Sequence, residues 1–120
     1  METETPGFRA TAYLKKGCPY SFKYLLFMAE AQLLDRIKVV CCDPKRDDFA
    51  VIKNMLTAAT GKPATFPTVE VEHHRYVSDS EQLIEHYAKA NNVSPRTLTA
   101  FSFYKDTIFP QLEELHNGDK

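Results

Sequence analysis

Residues 14–21 read Leu14-Lys15-Lys16-Gly17-Cys18-Pro19-Tyr20-Ser21, and this stretch decides the fold because it joins a strand signal to a helix signal through one thiol. Upstream, residues 8–14 (FRATAYL) alternate in character and stop at Lys15-Lys16-Gly17, as a strand running into a turn does. Downstream, Pro19 suits the first position of a helix, where its missing N–H leaves nothing unpaired. Phe22, Leu25, Leu26, Ala29 and Leu33 then recur at helical spacing to about Leu34. Cys18 therefore belongs at a helix N-terminus. Ser21 stands where a second cysteine would complete C-x-x-C, so a mixed disulfide on Cys18 has no resolving thiol inside the motif.

The segment IKVVCC (37–42) is short and rich in β-branched residues, which predicts a buried strand ending at Asp43-Pro44. A second helix is expected from Asp47 to Ala59, with Phe49, Ile52, Met55, Leu56 and Ala59 as its apolar face and Gly61 as its stop. Strand, helix and strand in the first 42 residues leave the two strands parallel if they are neighbours. After the loop GKPATFP come TVEVE, the turn EHHR and a short YV, the pattern of a hairpin. Ser78-Asp79-Ser80-Glu81 predicts a capping box, with Ser78 as the cap, for a helix that buries Leu83, Ile84, Tyr87 and Ala88 and ends at Asn91-Asn92. Ser94-Pro95 opens a final helical segment. There Leu98, Phe101, Ile108, Leu112 and Leu115 are spaced for burial, and Pro110 is expected to kink or split the helix.

Composition bounds the function. The 120 residues suit one domain with one core, and 43% apolar with 26% charged residues is ordinary for a globular protein. A formal charge of -1 gives no electrostatic case for nucleic acid or an anionic membrane as partner. The opening METETPGFRATAYL lacks the basic and apolar regions of a signal peptide, and no run reaches the roughly 18 apolar residues of a membrane span, so a cytoplasmic protein is expected. In that compartment Cys18, Cys41 and Cys42 are expected as thiols. The histidines (His73, His74, His86, His116) form no ligand pair alongside cysteines, and no metal is expected.

The order βαβαββα, with C-P-Y opening the first helix and T-F-P-T-V before the hairpin, resembles the thioredoxin fold, and within it glutaredoxins and the N-terminal domain of glutathione transferases. The likeness covers about Arg9 to Asn92. Cys18-Pro19-Tyr20 with Lys15 three residues earlier looks like a glutaredoxin active site, and Thr60-Gly61-Lys62-Pro63-Ala64-Thr65-Phe66-Pro67 looks like the T-G-x-x-T-V-P loop with one extra residue. Ser78-Asp79 matches the Ser-Asp of glutaredoxins, and Asp79-Ser80 the acidic-Ser pair of transferases. Tyr76-Val77 stand where glutaredoxins usually carry Gly-Gly, and these bulkier side chains are expected to narrow the groove. The resemblance implies an α/β, thioredoxin-like single domain over 1–120, with a core of about 8–92 and a C-terminal helical extension of about 94–117.

It also implies a site. Cys18 is the nucleophile, its thiolate favoured by a helix N-terminus and two flanking lysines. Ser21, one turn along, is placed to donate a hydrogen bond to the sulfur. Phe66-Pro67 is expected to be cis and to offer its backbone to the cysteinyl part of glutathione, with Pro19 and Tyr20 along the groove. Asp79 and Ser80 would hold the γ-glutamyl end and Lys15 the glycyl carboxylate. The implied activity is that of a monothiol glutaredoxin-like, glutathione-dependent thiol–disulfide oxidoreductase, with glutathione as co-substrate and protein mixed disulfides as partners. An iron–sulfur cluster goes with a C-G-F-S site, from which Pro19 and Tyr20 depart. Two alternatives stay open: a transferase-like domain in which Ser21 or Tyr13 holds the glutathione sulfur, and a non-catalytic module that binds a protein through its C-terminal helix. Cys41 and Cys42 are read either as packed strand residues or as distant resolving thiols.

Overall fold

The structure, a computed structural model, describes residues 8–118; the expectation drawn from the first seven residues lies outside them. Strand β1 (Ala10–Lys15) leads into helix α1 (Pro19–Glu30), a short 3-10 turn (Leu34–Arg36), strand β2 (Ile37–Cys42) and helix α2 (Phe49–Thr60). Strands β3 (Thr68–Glu72) and β4 (Arg75–Val77) form the hairpin, and helix α3 (Ser80–Ala90) comes next. The sheet order is β2-β1-β3-β4, with β1 parallel to β2 and antiparallel to β3. The parallel pair starts with Ala10 opposite Ile37 and ends with Lys15 opposite Cys42, so both strands finish at the edge where Cys18 begins α1.

Alternation in β1 buries Ala10, Ala12 and Leu14, and these join Tyr24, Phe27 and Met28 of α1 and Leu83 and Ile84 of α3 in the main core. The apolar face of α1 differs from the periodic expectation: Phe22 is 46% exposed and Ala29 is exposed, while Tyr24, Phe27 and Met28 are fully enclosed. Residues 24–29 are aromatic or aliphatic all round the helix, so periodicity alone cannot choose which side meets the sheet. The helix also stops at Glu30, short of Leu34. Gln32 takes a left-handed φ of 63°, and Leu33 N–H donates to Met28 O at 2.8 Å, a Schellman closure without the usual glycine. Asn92 closes α3 in the same way at φ 56°, with Val93 N–H on Ala88 O.

Strand β2 is an edge strand rather than a buried one. Ile37 and Cys42 are covered, but Val39 and Cys41 are exposed, and β2 pairs on one side only. In α2 only Leu56 is buried; Met55 and Ala59 of the expected apolar face are exposed. Gly61 ends it at φ 75°, as expected of a left-handed C-cap. The cap of α3 is Asp79 rather than Ser78: its carboxylate accepts from Glu81 N–H at 2.8 Å and Gln82 N–H at 3.1 Å.

After a 3-10 turn (Pro95–Thr97), helix α4 (Thr99–Phe103), a π-helical turn (Tyr104–Ile108) and helix α5 (Phe109–Gly118) run on continuously. Pro110 cannot donate to the carbonyl four residues back and its ring crowds it, so the chain widens just ahead of it instead of breaking. One extra residue in a turn rotates the remainder of the helix by about 100°. Phe101, Tyr104 and Phe109 are therefore buried, while Ile108, Leu112 and Leu115 of the expected face stay exposed. Glu30 at the end of α1 accepts from Phe101 N–H at 2.7 Å and Ala100 N–H at 3.0 Å, capping α4 from across the molecule. Among the described residues no helix is long and apolar enough to cross a membrane.

Two measurements test this arrangement. Phe101 meets Phe27 edge-on at 5.6 Å inside the core, so Phe101→Ala is expected to lower stability in urea unfolding by about 3–5 kcal/mol. A loss below about 1 kcal/mol would detach the C-terminal helices from the core. The neighbouring thiols differ more sharply. Burial, then Cys41 and Asp48, push Cys42 up to about 11, which leaves roughly one thiol in a thousand ionised at pH 8. Native alkylation should label exposed Cys41 and spare Cys42 until the protein is unfolded; equal rates would contradict the edge placement of β2.

Candidate active site

Cys18 occupies the N-cap of α1 with an extended backbone (φ -92°, ψ 121°). Its sulfur does not bond the helix; the thiol donates to Phe66 O at 3.7 Å. Phe66-Pro67 is a cis peptide bond, and Pro67 is fully buried beside β3. Thr68 fastens this loop, donating to Thr65 O at 2.6 Å and sharing a 3.0 Å hydrogen bond with Ser78 Oγ. Ser78 immediately precedes the Asp79 cap, so the loop and the start of α3 are held side by side. Phe66 stacks with Phe49 of α2, centroids 5.9 Å apart.

Two hollows lie against the first turns of α1. One, a groove of about 440 Å³, runs from Tyr20 past Phe66 and Pro67 to Asp79 and Ser80, with Phe109 and Glu113 of α5 on its rim. Tyr76 and Val77 do not line it; they sit half-buried in β4, so the expected narrowing does not occur through them. The other, about 650 Å³, is largely apolar and lies between α1, β2 and the C-terminal helices, walled by Leu14, Phe22, Leu25, Val39, Tyr104 and Leu112. Cys18, Pro19, Lys15 and Cys41 border it as well.

Ser21 lines the apolar hollow but is buried, and its hydroxyl accepts from Lys15 N–H at 3.1 Å. The hydrogen bond found at the Cys18 sulfur is the one to Phe66 O. Lys16 pairs with Asp43 at 3.5 Å; Lys15 enters no ion pair among the described residues. The Asp43 carboxyl is held below its ordinary range, first by the Lys45 N–H and then by Lys16. Tyr13 lines neither hollow.

Three sets of contacts at the site had no signal in the sequence. Lys23 keeps only 3% of its side chain exposed, yet lines the groove, 2.6 Å from a Glu81 carboxylate oxygen and 4.1 Å from the centroid of the Phe109 ring. Tyr104 donates to Pro19 O at 2.9 Å, locking the residue after the thiol; burial first, then the charge of Cys18, raise its phenol. Tyr20 donates to Glu113 at 2.8 Å and meets Phe109 edge-on at 5.2 Å, and its phenol is raised by burial and by that carboxylate. All three depend on partners 58–93 residues away, which local patterns do not reveal. Among the described residues no three His, Cys, Asp or Glu side chains converge as metal ligands.

No family model and no curated protein match the chain. Solved structures match its fold. Glutaredoxin 2 from Salmonella typhimurium, in complex with glutathione, matches with a TM-score of 0.57 at 12% identity, over 72% of this chain and 35% of its own. A possible glutathione S-transferase from Rhodopseudomonas palustris gives 0.57 at 17% identity over 91% and 57% of the two chains. A glutathione transferase homologue from Sulfitobacter with bound glutathione gives 0.53 at 19% over 82% and 50%. The chain thus spans 35–57% of the length of these structures. At such identities the likeness is one of fold: an α/β, thioredoxin-like fold with a C-terminal helical segment.

Proposed function

We propose that the protein is a glutathione-dependent thiol–disulfide oxidoreductase of the monothiol kind, acting in the cytoplasm. The observation that carries this reading is the single thiol of Cys18 at the start of α1, half-buried and hydrogen-bonded to Phe66 O beside the cis-proline, with Phe66 and Pro67 in turn lining a polar groove. Backbone beside a cis-proline is free to pair with an extended peptide as one more strand would. Two of the fold's relatives hold glutathione, and a γ-glutamyl tripeptide suits a groove running from the Phe66-Pro67 loop, which accepts the Cys18 thiol's hydrogen bond, to a helix N-terminus.

In this chemistry the Cys18 thiolate attacks the glutathione sulfur of a mixed disulfide R–S–SG. The S–S bond of R–S–SG breaks, R–S⁻ leaves and takes up a proton, and Cys18–S–SG forms. The thiolate of a second glutathione then attacks Cys18–S–SG, releasing GSSG and restoring the Cys18 thiolate. The net reaction is R–S–SG + GSH → R–SH + GSSG, one free glutathione replacing R–S in the disulfide, with no resolving thiol in the motif. Ser21 in this scheme acts by position: its bond to Lys15 N–H fixes the first turn of α1 against β1. Lys15, which borders the apolar hollow and enters no ion pair among the described residues, meets the glycyl carboxylate, and Asp79 and Ser80, which line the groove, meet the γ-glutamyl end.

The apolar hollow supports a second reading, a transferase-like domain that brings an apolar co-substrate to a glutathione sulfur. The two readings part at one residue. Incubation with oxidised glutathione should add one glutathionyl group at Cys18, seen by intact mass and peptide mapping, and Cys18→Ser should abolish reduction of a small glutathione mixed disulfide. Turnover surviving in Cys18→Ser, or a glutathionyl group found only at Cys41, would remove the monothiol mechanism; conjugation of an apolar electrophile by Cys18→Ser would favour the second reading.

A further inference from the structure

We infer that Glu113, on α5, acts with Asp79 to recognise the primary ammonium of the γ-glutamyl end of the ligand, making the C-terminal helix a determinant of specificity in the groove; the inference rests on the glutathione reading above.

The charges of the groove do not balance by themselves. Its lining includes one cation, Lys23, and three carboxylates, Asp79, Glu81 and Glu113. Lys23 is already matched: it lies 2.6 Å from Glu81, and Phe109 covers it at 4.1 Å from the ring centroid. Asp79 and Glu113 are left without an ion pair among the described residues. Like charges sharing one semi-enclosed hollow repel, and a ligand cation between them relieves that repulsion.

Both carboxylates are also fixed in place. Asp79 uses Oδ1 for the N–H groups of Glu81 and Gln82, and no hydrogen bond engages Oδ2 among the described residues. Glu113 is half-buried and uses Oε2 for the Tyr20 hydroxyl, and Oε1 is likewise unengaged among the described residues. Tyr20 is itself held by the edges of Phe109 at 5.2 Å and His116 at 5.8 Å, so the Glu113 carboxylate is aimed without being spent. A primary ammonium, with three donors, can satisfy two such oxygens together.

Glutathione offers an α-ammonium at one end only. With the thiol end at Cys18 and the γ-glutamyl end at the start of α3, that group falls among Asp79, Tyr20 and Glu113. The test uses ligands that cannot exchange disulfides: S-methylglutathione and its des-amino counterpart, S-methyl glutaryl-cysteinylglycine, titrated calorimetrically into the full chain. The unmodified protein should bind the amino ligand about 10-fold tighter or more, and Glu113→Gln should reduce that preference by about 3–10-fold by weakening only the amino ligand. Tyr20→Phe, which keeps the Glu113 charge, should retain more of the preference than Glu113→Gln. If Glu113→Gln weakens both ligands equally, or leaves the preference intact, the inference is wrong while the glutathione reading stands. If the unmodified protein binds neither ligand, the glutathione reading itself falls.

Discussion

The site depends on one buried hydroxyl. Thr68, 1% exposed at the first residue of β3, donates to Thr65 O and shares a hydrogen bond with Ser78 Oγ. A buried hydroxyl without partners costs on the order of 1–3 kcal/mol, so the packing that encloses Thr68 also dictates where its partners lie. Those partners belong to the loop that carries Phe66-Pro67 and to the residue before the Asp79 cap. The carbonyl facing Cys18 and the helix start facing the groove are thereby referred to a single side chain of the sheet. Side chains that position a site without touching a ligand are in this sense as decisive as those that touch it.

The C-terminal segment is fastened at both ends of α1 rather than laid over it. At the C-terminal end, Glu30 caps α4; at the N-terminal end, Tyr104 and Tyr20 bind Pro19 O and Glu113. This clasp explains a lysine in an apolar place. Lys23 lies about a turn and a half beyond Cys18, and burying an ammonium is costly unless a counter-charge and a polarisable surface replace water. Glu81 supplies the charge and Phe109 the surface, one from α3 and one from α5. Packing of the last helix and the electrostatics of the groove are therefore one problem with one solution.

Much of this was legible in the chain, and the illegible part has physical causes. Gly17 at φ 81°, Pro19 at the first helical position, Gly61 at φ 75° and the alternation in β1 are local, and local rules found them. The placement of Phe66-Pro67 opposite Cys18 came from family likeness, because an X-Pro pair does not announce its isomer. Phase and partnership were the parts that failed. Residues 98–115 carry a helical apolar repeat, but the π turn ahead of Pro110 shifts the buried set to Phe101, Tyr104 and Phe109, the last two five residues apart. Asp79 took the cap from Ser78 because the Ser78 hydroxyl was already engaged with Thr68, a bond between residues ten apart across the hairpin. Lys23, Glu113 and Glu30 carried no signal, since each has its meaning only against a distant segment.

The two hollows against the first turns of α1 bear on how a single thiol handles two unlike partners. A mixed disulfide is asymmetric: one sulfur carries a charged tripeptide and the other a side chain of any kind. Discrimination between two attackable sulfurs requires that each side of the nucleophile favour one half. Here an apolar hollow walled by Phe22, Leu25 and Val39 is bordered by Cys18 itself, and the polar groove with its carboxylates and buried lysine is lined by Phe66, whose carbonyl accepts from the thiol. Under the proposed chemistry the groove seats the glutathione half, so its sulfur is the one presented in line to Cys18, while the other hollow accepts the departing group through contacts that need no particular hydrogen-bonding pattern. Specificity then sits on one wall and tolerance on the other. The same proposal has a second glutathione complete the exchange after R–S–H has left, without a resolving cysteine at position 21.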